Sequence, residues 1–203
     1  MDDDMLGTAR GFLTRLRDNN SRDWFQAHKA DHEAQVKRPA EALLDRLSDP
    51  LSALAGAPVK PKLFRIHRDL RFARDKTPYN THLHLGWSAP DGTAWMFGLS
   101  PDYCCAGAGV MGFDKAGLVA WRDHVAQRGF VDLTRWRLDP PALKRVPPPY
   151  PQDHPHGDLL RRKGLLVWHD LDASERADPG PALAGIFIRM EPVRLALAEV
   201  LRP

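Results

Sequence analysis

The chain has 203 residues, of which 43% are hydrophobic and 27% charged, and it carries a formal net charge of +3. This is ordinary for a globular protein with one sizeable core, so a single domain over residues 1–203 is expected. There is no apolar run of membrane-span length, the acidic Asp2 to Asp4 does not read as a signal peptide, and adjacent Cys104 and Cys105 cannot close an ordinary disulfide loop; together these predict a cytoplasmic protein with no membrane attachment.

A first helix is expected over Thr8 to Asp18, with Phe12, Leu13 and Leu16 on one stripe and Asn19-Asn20 closing it in a left-handed turn. Ser21 caps a second helix whose Trp24, Phe25, His28 and His32 share a face. Pro39 suits the first turn of a third helix carrying Leu43, Leu44, Leu47, Leu51 and Leu54, with Asp49-Pro50 expected to break it. From Val59 the pattern turns from helical to alternating. Leu83 to Ser88 and Thr93 to Ser100 read as a hairpin about Pro90-Asp91-Gly92, and a further strand is predicted from Cys104 to Met111. Strands joined by short turns must be antiparallel. Asp114 caps an inserted helix that Gly129 ends, and residues 136 to 157 are a proline-rich irregular stretch. Leu165 to Trp168 is a last short strand, and Pro192 restarts the C-terminal helix. The predicted class is α+β: a mostly antiparallel central sheet with N-terminal helices, one inserted helix and C-terminal helices.

The stretch that stands apart runs from Lys60 to His82. Lys60, Lys62, Arg65, Arg68, Arg71, Arg74 and Lys76 face only Asp69 and Asp75, a segment charge of +5 in a chain of +3. Read as a strand, it places Phe64, Ile66, Arg68, Leu70 and Phe72 on one face and Arg65, His67, Asp69 and Arg71 on the other. Arg68 therefore falls among apolar residues, and is expected to be buried and paired with Asp75 or Asp23.

The pattern R65-x-x-R68-D69-x-R71-F72-x-x-D75-K76-x-P78-Y79 resembles the signature of a widespread family of conserved hypothetical proteins defined by R-x-x-R-D-x-R-F-x-x-D/N-K-x-x-Y. The similarity extends to Asn19–Lys29 (NNSRDWFQAHK) and to the proline-rich Lys144–Pro155, and departs locally at Asn80, where a cation is expected, and at Pro148, where a glycine is usual. The resemblance implies an architecture and supplies no activity.

Two carboxylates cannot neutralise seven cations, so some of the arginines must find other partners or hold an anion. The expectation is an anionic small ligand, bearing phosphate or carboxylate, bound by Arg65, Arg68, Asp69, Arg71, Asp75, Lys76 and Tyr79. His154 of the proline-rich loop is expected to converge on the same cleft, because long loops in compact proteins tend to be functional. The same cations could instead track a nucleic-acid backbone, with Phe64, Phe72, Tyr79 and Trp87 stacking bases, or form a purely structural ion-pair lattice. Strand alternation favours the small ligand, since Phe64 and Phe72 point away from the cations. If a reaction is catalysed, electrostatic stabilisation of a developing anion suits these groups. No cofactor and no metal site is expected: the pairs His82/His84, His154/His156 and His28/His32 lack the ligand number and spacing of a zinc centre. Cys104-Cys105 read as small buried residues, without the spacing of a redox pair.

Overall fold

The computed structural model describes residues 4–71 and 74–202, so the expectations for Phe72 and for the first three residues lie outside the described residues. The chain begins with α1 (Met5–Asp18), α2 (Arg22–Ala27) and α3 (Lys29–His32). A π-helical turn (Glu33–Lys37) then leads without interruption into α4 (Arg38–Ala55). The strands β1 (Lys60–Leu63), β2 (Leu83–Ser88), β3 (Ala94–Leu99) and β4 (Cys104–Val110) follow, then α5 (Lys115–Arg128), β5 (Arg137–Leu138), α6 (Gly157–Leu160), β6 (Leu165–Asp170), α7 (Ala173–Ala177) and α8 (Pro179–Val200). The six strands form one sheet in the order β1-β2-β3-β4-β6-β5, and every pairing is antiparallel. The α+β architecture expected from the pattern is the one observed.

Register divides the sheet into two unlike faces. On one, Trp87, Trp95, Ala108 and Val167 form a row beside Leu85, Phe97 and Ala106. All of these are buried, and α4 and α8 cover them: Trp87 Nε1 donates to the Leu44 carbonyl at 3.0 Å and its ring meets Phe187 edge-on. The other face runs Lys62, Gly86, Met96, Gly107, Trp168 and Arg137 in one row, and His84, Gly98, Cys105 and Asp170 in the next.

Several local expectations need correction. Asn19 is not left-handed (φ −132°). Its amide instead donates to the Arg15 carbonyl, and Asn20 reaches across the chain. The helices run through Pro50 and Pro192 unbroken. A proline removes one helical hydrogen bond, but in both helices the buried stripe continues past it, through Leu51 and through Val193 and Leu197, so packing outweighs the lost bond. Ser21 and Asp114 cap as expected, and Gly129 ends α5 with φ +71°.

The largest correction concerns the charged segment, which is a strand only as far as Leu63. Its ladder stops because β2 begins at Leu83, opposite Leu99, and offers no backbone partner beyond His84. The chain folds back on itself instead: His67 bridges Tyr79, the Arg68 amide donates to the Pro78 carbonyl, and the Asn80 amide to that of Ile66. Phe64, expected to point away from the cations, is exposed with Lys62 Nζ 4.5 Å over its ring, but from Arg65 to Arg71 the alternation of faces survives in this extended hairpin-like loop. Ile66, Arg68 and Leu70 are half-buried, while Arg65, His67, Asp69 and Arg71 are exposed.

Candidate functional site

The two acids of the charged loop are both taken by its own residues. Asp69 accepts from Nε and Nη2 of Arg71 as a fork (3.0 and 2.6 Å), which holds its carboxyl below the ordinary range. Asp75 accepts from the Thr77 amide (2.9 Å) and from Arg68 (2.6 Å), and these bonds hold it down at about 2. Arg68 also reaches the Thr77 hydroxyl and carbonyl, so its head closes the turn from Asp75 to Thr77. Arg68 is paired as expected, with Asp75, but its side chain is 26% exposed and so is not fully buried. Lys76 donates to the Leu70 carbonyl at 3.0 Å and clips the outer end of the loop.

Arg65 differs from its neighbours. Its carbonyl accepts from Asn80, but its guanidinium makes no ion pair or hydrogen bond among the described residues, and reaches Asp69 only through the longer-range charge attraction that helps hold that carboxyl down. It faces a cleft of about 440 Å³ between the loop and the N-terminal helices, whose far wall carries Lys29, His32 and Lys37. The near wall adds His67 and His82. Two carboxylates line this cleft, Glu33 and Glu41, and Lys37 lies within reach of both, at 3.1 and 4.0 Å. Lys29 and Arg65 therefore remain on opposing walls without carboxylate partners among the described residues. Burial lowers the pKa of His32 and of His82, so their rings are neutral and can donate or accept near pH 7.

The cleft is held open by specific packing. Asn20 grips the Tyr79 peptide from both sides, donating to its carbonyl (2.9 Å) and accepting from its amide (3.1 Å). The Tyr79 ring stacks on Phe25 at 4.1 Å and is 4% exposed. Tyr79, expected among the ligand-binding residues, is positioned as a pin between α2 and the loop. The π-helical turn lies on the opposite wall and contributes Glu33, Val36 and Lys37. Such turns widen a helix by a residue and recur at functional sites.

His154 does not join this cleft. Its ring contacts Tyr150 and His156, its amide bonds to Pro151, and Tyr150 is in turn tied to Asp123 of α5 at 2.8 Å. The segment follows β5, at the sheet edge opposite β1, and no described contact or cavity links it to Arg65 or Arg71. The convergent cleft expected from the sequence therefore loses His154. Tyr150, through Asp123, ties the loop to α5. Of the other expected residues, Arg65 faces the cleft, Arg68, Asp69, Arg71, Asp75 and Lys76 shape the loop, and Tyr79 anchors it.

Sequence reasoning missed Lys29, His32, His67 and His82 as wall residues. Helical spacing did put His28 and His32 on one face, but nothing local signals that this face meets the charged loop. The Cys105 thiol is pushed up to about 11 by burial, which keeps it protonated and agrees with a packing role. Among the described residues, no three His, Cys, Asp or Glu side chains gather as a metal site would require, and no helix is long and apolar enough to cross a membrane.

No curated protein matches the chain, and no solved structure does. The family model of the conserved hypothetical proteins DUF2461 matches residues 8–193, nearly the whole length from α1 into α8. With its charged hairpin braced against the N-terminal helices, the chain belongs to the DUF2461 family of conserved hypothetical proteins.

Proposed function

We propose that the protein binds an anionic small molecule, bearing phosphate or carboxylate, in the cleft between the charged loop and the π-helical turn. The observation that carries this reading is the division of labour among the arginines. Arg68 and Arg71 use up both acids of the loop, and Arg65 is left without an ion pair in the lining of a cavity that Lys29 also lines. Two cations that line one cavity without carboxylate partners of their own can be completed by an anion, and a guanidinium offers a carboxylate or phosphate two parallel donors. The His32 and His82 rings, kept neutral by burial, add hydrogen-bond donors on the two walls.

Isothermal titration with inorganic phosphate, pyrophosphate and citrate tests the reading. At least one should bind, and Arg65→Ala and Lys29→Ala should each weaken it tenfold or more. The failure of all three to bind, or unchanged affinity in Arg65→Ala, overturns it. Mass spectrometry of small molecules carried through purification would then name the natural ligand. Titration with single-stranded and duplex oligonucleotides at two salt concentrations addresses the competing use of these cations, since a backbone tracker loses affinity steeply with salt.

A further inference from the structure

The face of the sheet that α4 and α8 leave uncovered is built unlike the rest of the core. Its two central rows are kept low by glycine, and aromatic rings lie on the space so left. A Cβ on Gly107 would stand 2.5 Å from the Trp168 ring, and one on Gly98 would stand 3.1 Å from Tyr103. The Phe64 ring lies over Gly86 in the same way. His84, beside Gly98, shares a 2.7 Å hydrogen bond with the Tyr103 hydroxyl. The outcome is a groove of about 750 Å³ with an aromatic floor of Phe64, His84, Tyr103 and Trp168 and with Met111, 65% exposed, at its border. That volume lies in the range of pockets that hold small organic ligands.

The charges around the groove are unequally satisfied. Asp170 is forked by Arg137, Asp102 is paired with Arg17, and Asp139 accepts from Trp168 Nε1. Two lining cations have no carboxylate partner among the described residues. Arg176 donates to the Leu171 carbonyl alone, and Arg10 makes no side-chain bond, with its Nε buried and unsatisfied. A buried guanidinium nitrogen without an acceptor is costly in a folded protein. Here it belongs to a residue that lines a groove whose floor is aromatic.

We infer that this groove binds a planar aromatic molecule carrying an anionic group, with the ring lying on the Tyr103/Trp168 floor and the anion between Arg10 and Arg176. Ring stacking supplies affinity without demanding a particular heterocycle, and the arginine pair supplies the requirement for negative charge. The groove adjoins the charged-loop cleft at Phe64, which lines both, but their charged groups are separate: Arg10, Tyr103 and Trp168 do not line that cleft and Arg65 does not line the groove.

The test uses three aromatic anions, flavin mononucleotide, adenosine monophosphate and anilinonaphthalene sulfonate, with riboflavin and inorganic phosphate as the two halves of a ligand. Binding to the full chain is followed by fluorescence or calorimetry. At least one aromatic anion should bind with micromolar affinity, and for the flavin pair removal of the phosphate should cost tenfold or more. Arg10→Gln combined with Arg176→Gln should erase that difference, and Trp168→Leu should weaken both flavins. Met96→Trp, which fills the groove from a half-exposed position, should block binding while circular dichroism and melting confirm the fold. Arg65→Ala should leave all of this unchanged. No binding by any of the three, or binding indifferent to the arginine pair and to Met96→Trp, overturns the inference. So does an oligothymidylate that binds more tightly than every mononucleotide with a steep salt dependence, because the face would then be a single-strand track.

Discussion

Two arginine assemblies in this protein use the same chemistry to opposite ends. Arg194 of α8 is 1% exposed. It forks Glu191, reaches Asp91 at 2.6 Å and Thr93 at 3.0 Å, and lies over the Trp95 ring at 4.7 Å. Each donor group has an acceptor, and the acids come from α8 itself and from the β2–β3 turn. The network therefore ties the hairpin to the C-terminal helix. The arginines of the charged loop lie at the surface, pair with acids two and seven residues away, and leave Arg65 open towards a cavity. Removing the partners of a buried charge is costly, whereas a surface cluster leaves a cation unmatched at small cost, and Arg65 is such a cation.

Mutations that separate stability from binding sharpen this contrast. Arg194→Ala should have the largest effect, a loss of about 3–5 kcal/mol in chemical denaturation, because Asp91 and Glu191 would be left partly buried without their cation. A loss as small as that of a surface pair would place the two assemblies on the same footing. Arg68→Ala should cost much less, about 1 kcal/mol, since a 26% exposed side chain facing an exposed Asp75 is close to a surface pair. An Arg68 buried as deeply as Arg194 would have ranked with it.

A pH titration of stability gives a smaller effect and has a definite sign. Burial, and next the neighbouring His82, lower His84 from 6.5 to about 4. The unfolded chain therefore takes up a proton that the folded chain refuses. Stability should be full above pH 6.5 and decline as pH falls from there to about 4, and His84→Gln should flatten that limb. Asp75, held down at about 2 from 3.8, extends the decline at lower pH, as its bonds to Thr77 and Arg68 are lost between about pH 4 and 2. The smallest effect on stability belongs to Arg65→Ala, about 0.5 kcal/mol or less in either direction. The same substitution should abolish the rise in melting temperature that phosphate or citrate produces in the wild type, and an unaltered rise would break the contrast between the two assemblies.

The residues differ in how far local pattern could place them. Helix faces and strand spans were legible because burial follows a short period: Phe12, Leu13 and Leu16 recur at helical spacing, and Leu83, Leu85 and Trp87 alternate. The caps at Ser21 and Asp114 were legible for the same reason, since a cap bonds within one turn of itself. Even the alternation of the charged loop persisted where the strand did not, because an extended chain turns successive side chains to opposite sides whether or not it is paired. The excess of cations over acids was likewise visible by counting.

What counting and period could not supply was long-range partnership. That Asn20 grips Tyr79 across 59 residues, and that Arg194 finds Asp91 across 103, depends on which elements the packed core brings together. Tyr79 became a pin and His154 was packed beside Tyr150, which is tied to α5, for that reason. Prolines 50 and 192 were tolerated because helices already buried on one side can forgo a hydrogen bond, a trade that no short window of sequence displays. The uncovered sheet face, with its rings laid on glycines, is also a product of tertiary structure. Alternation gives each strand two faces, but only the placement of α4 and α8 decides which of them remains open to a ligand.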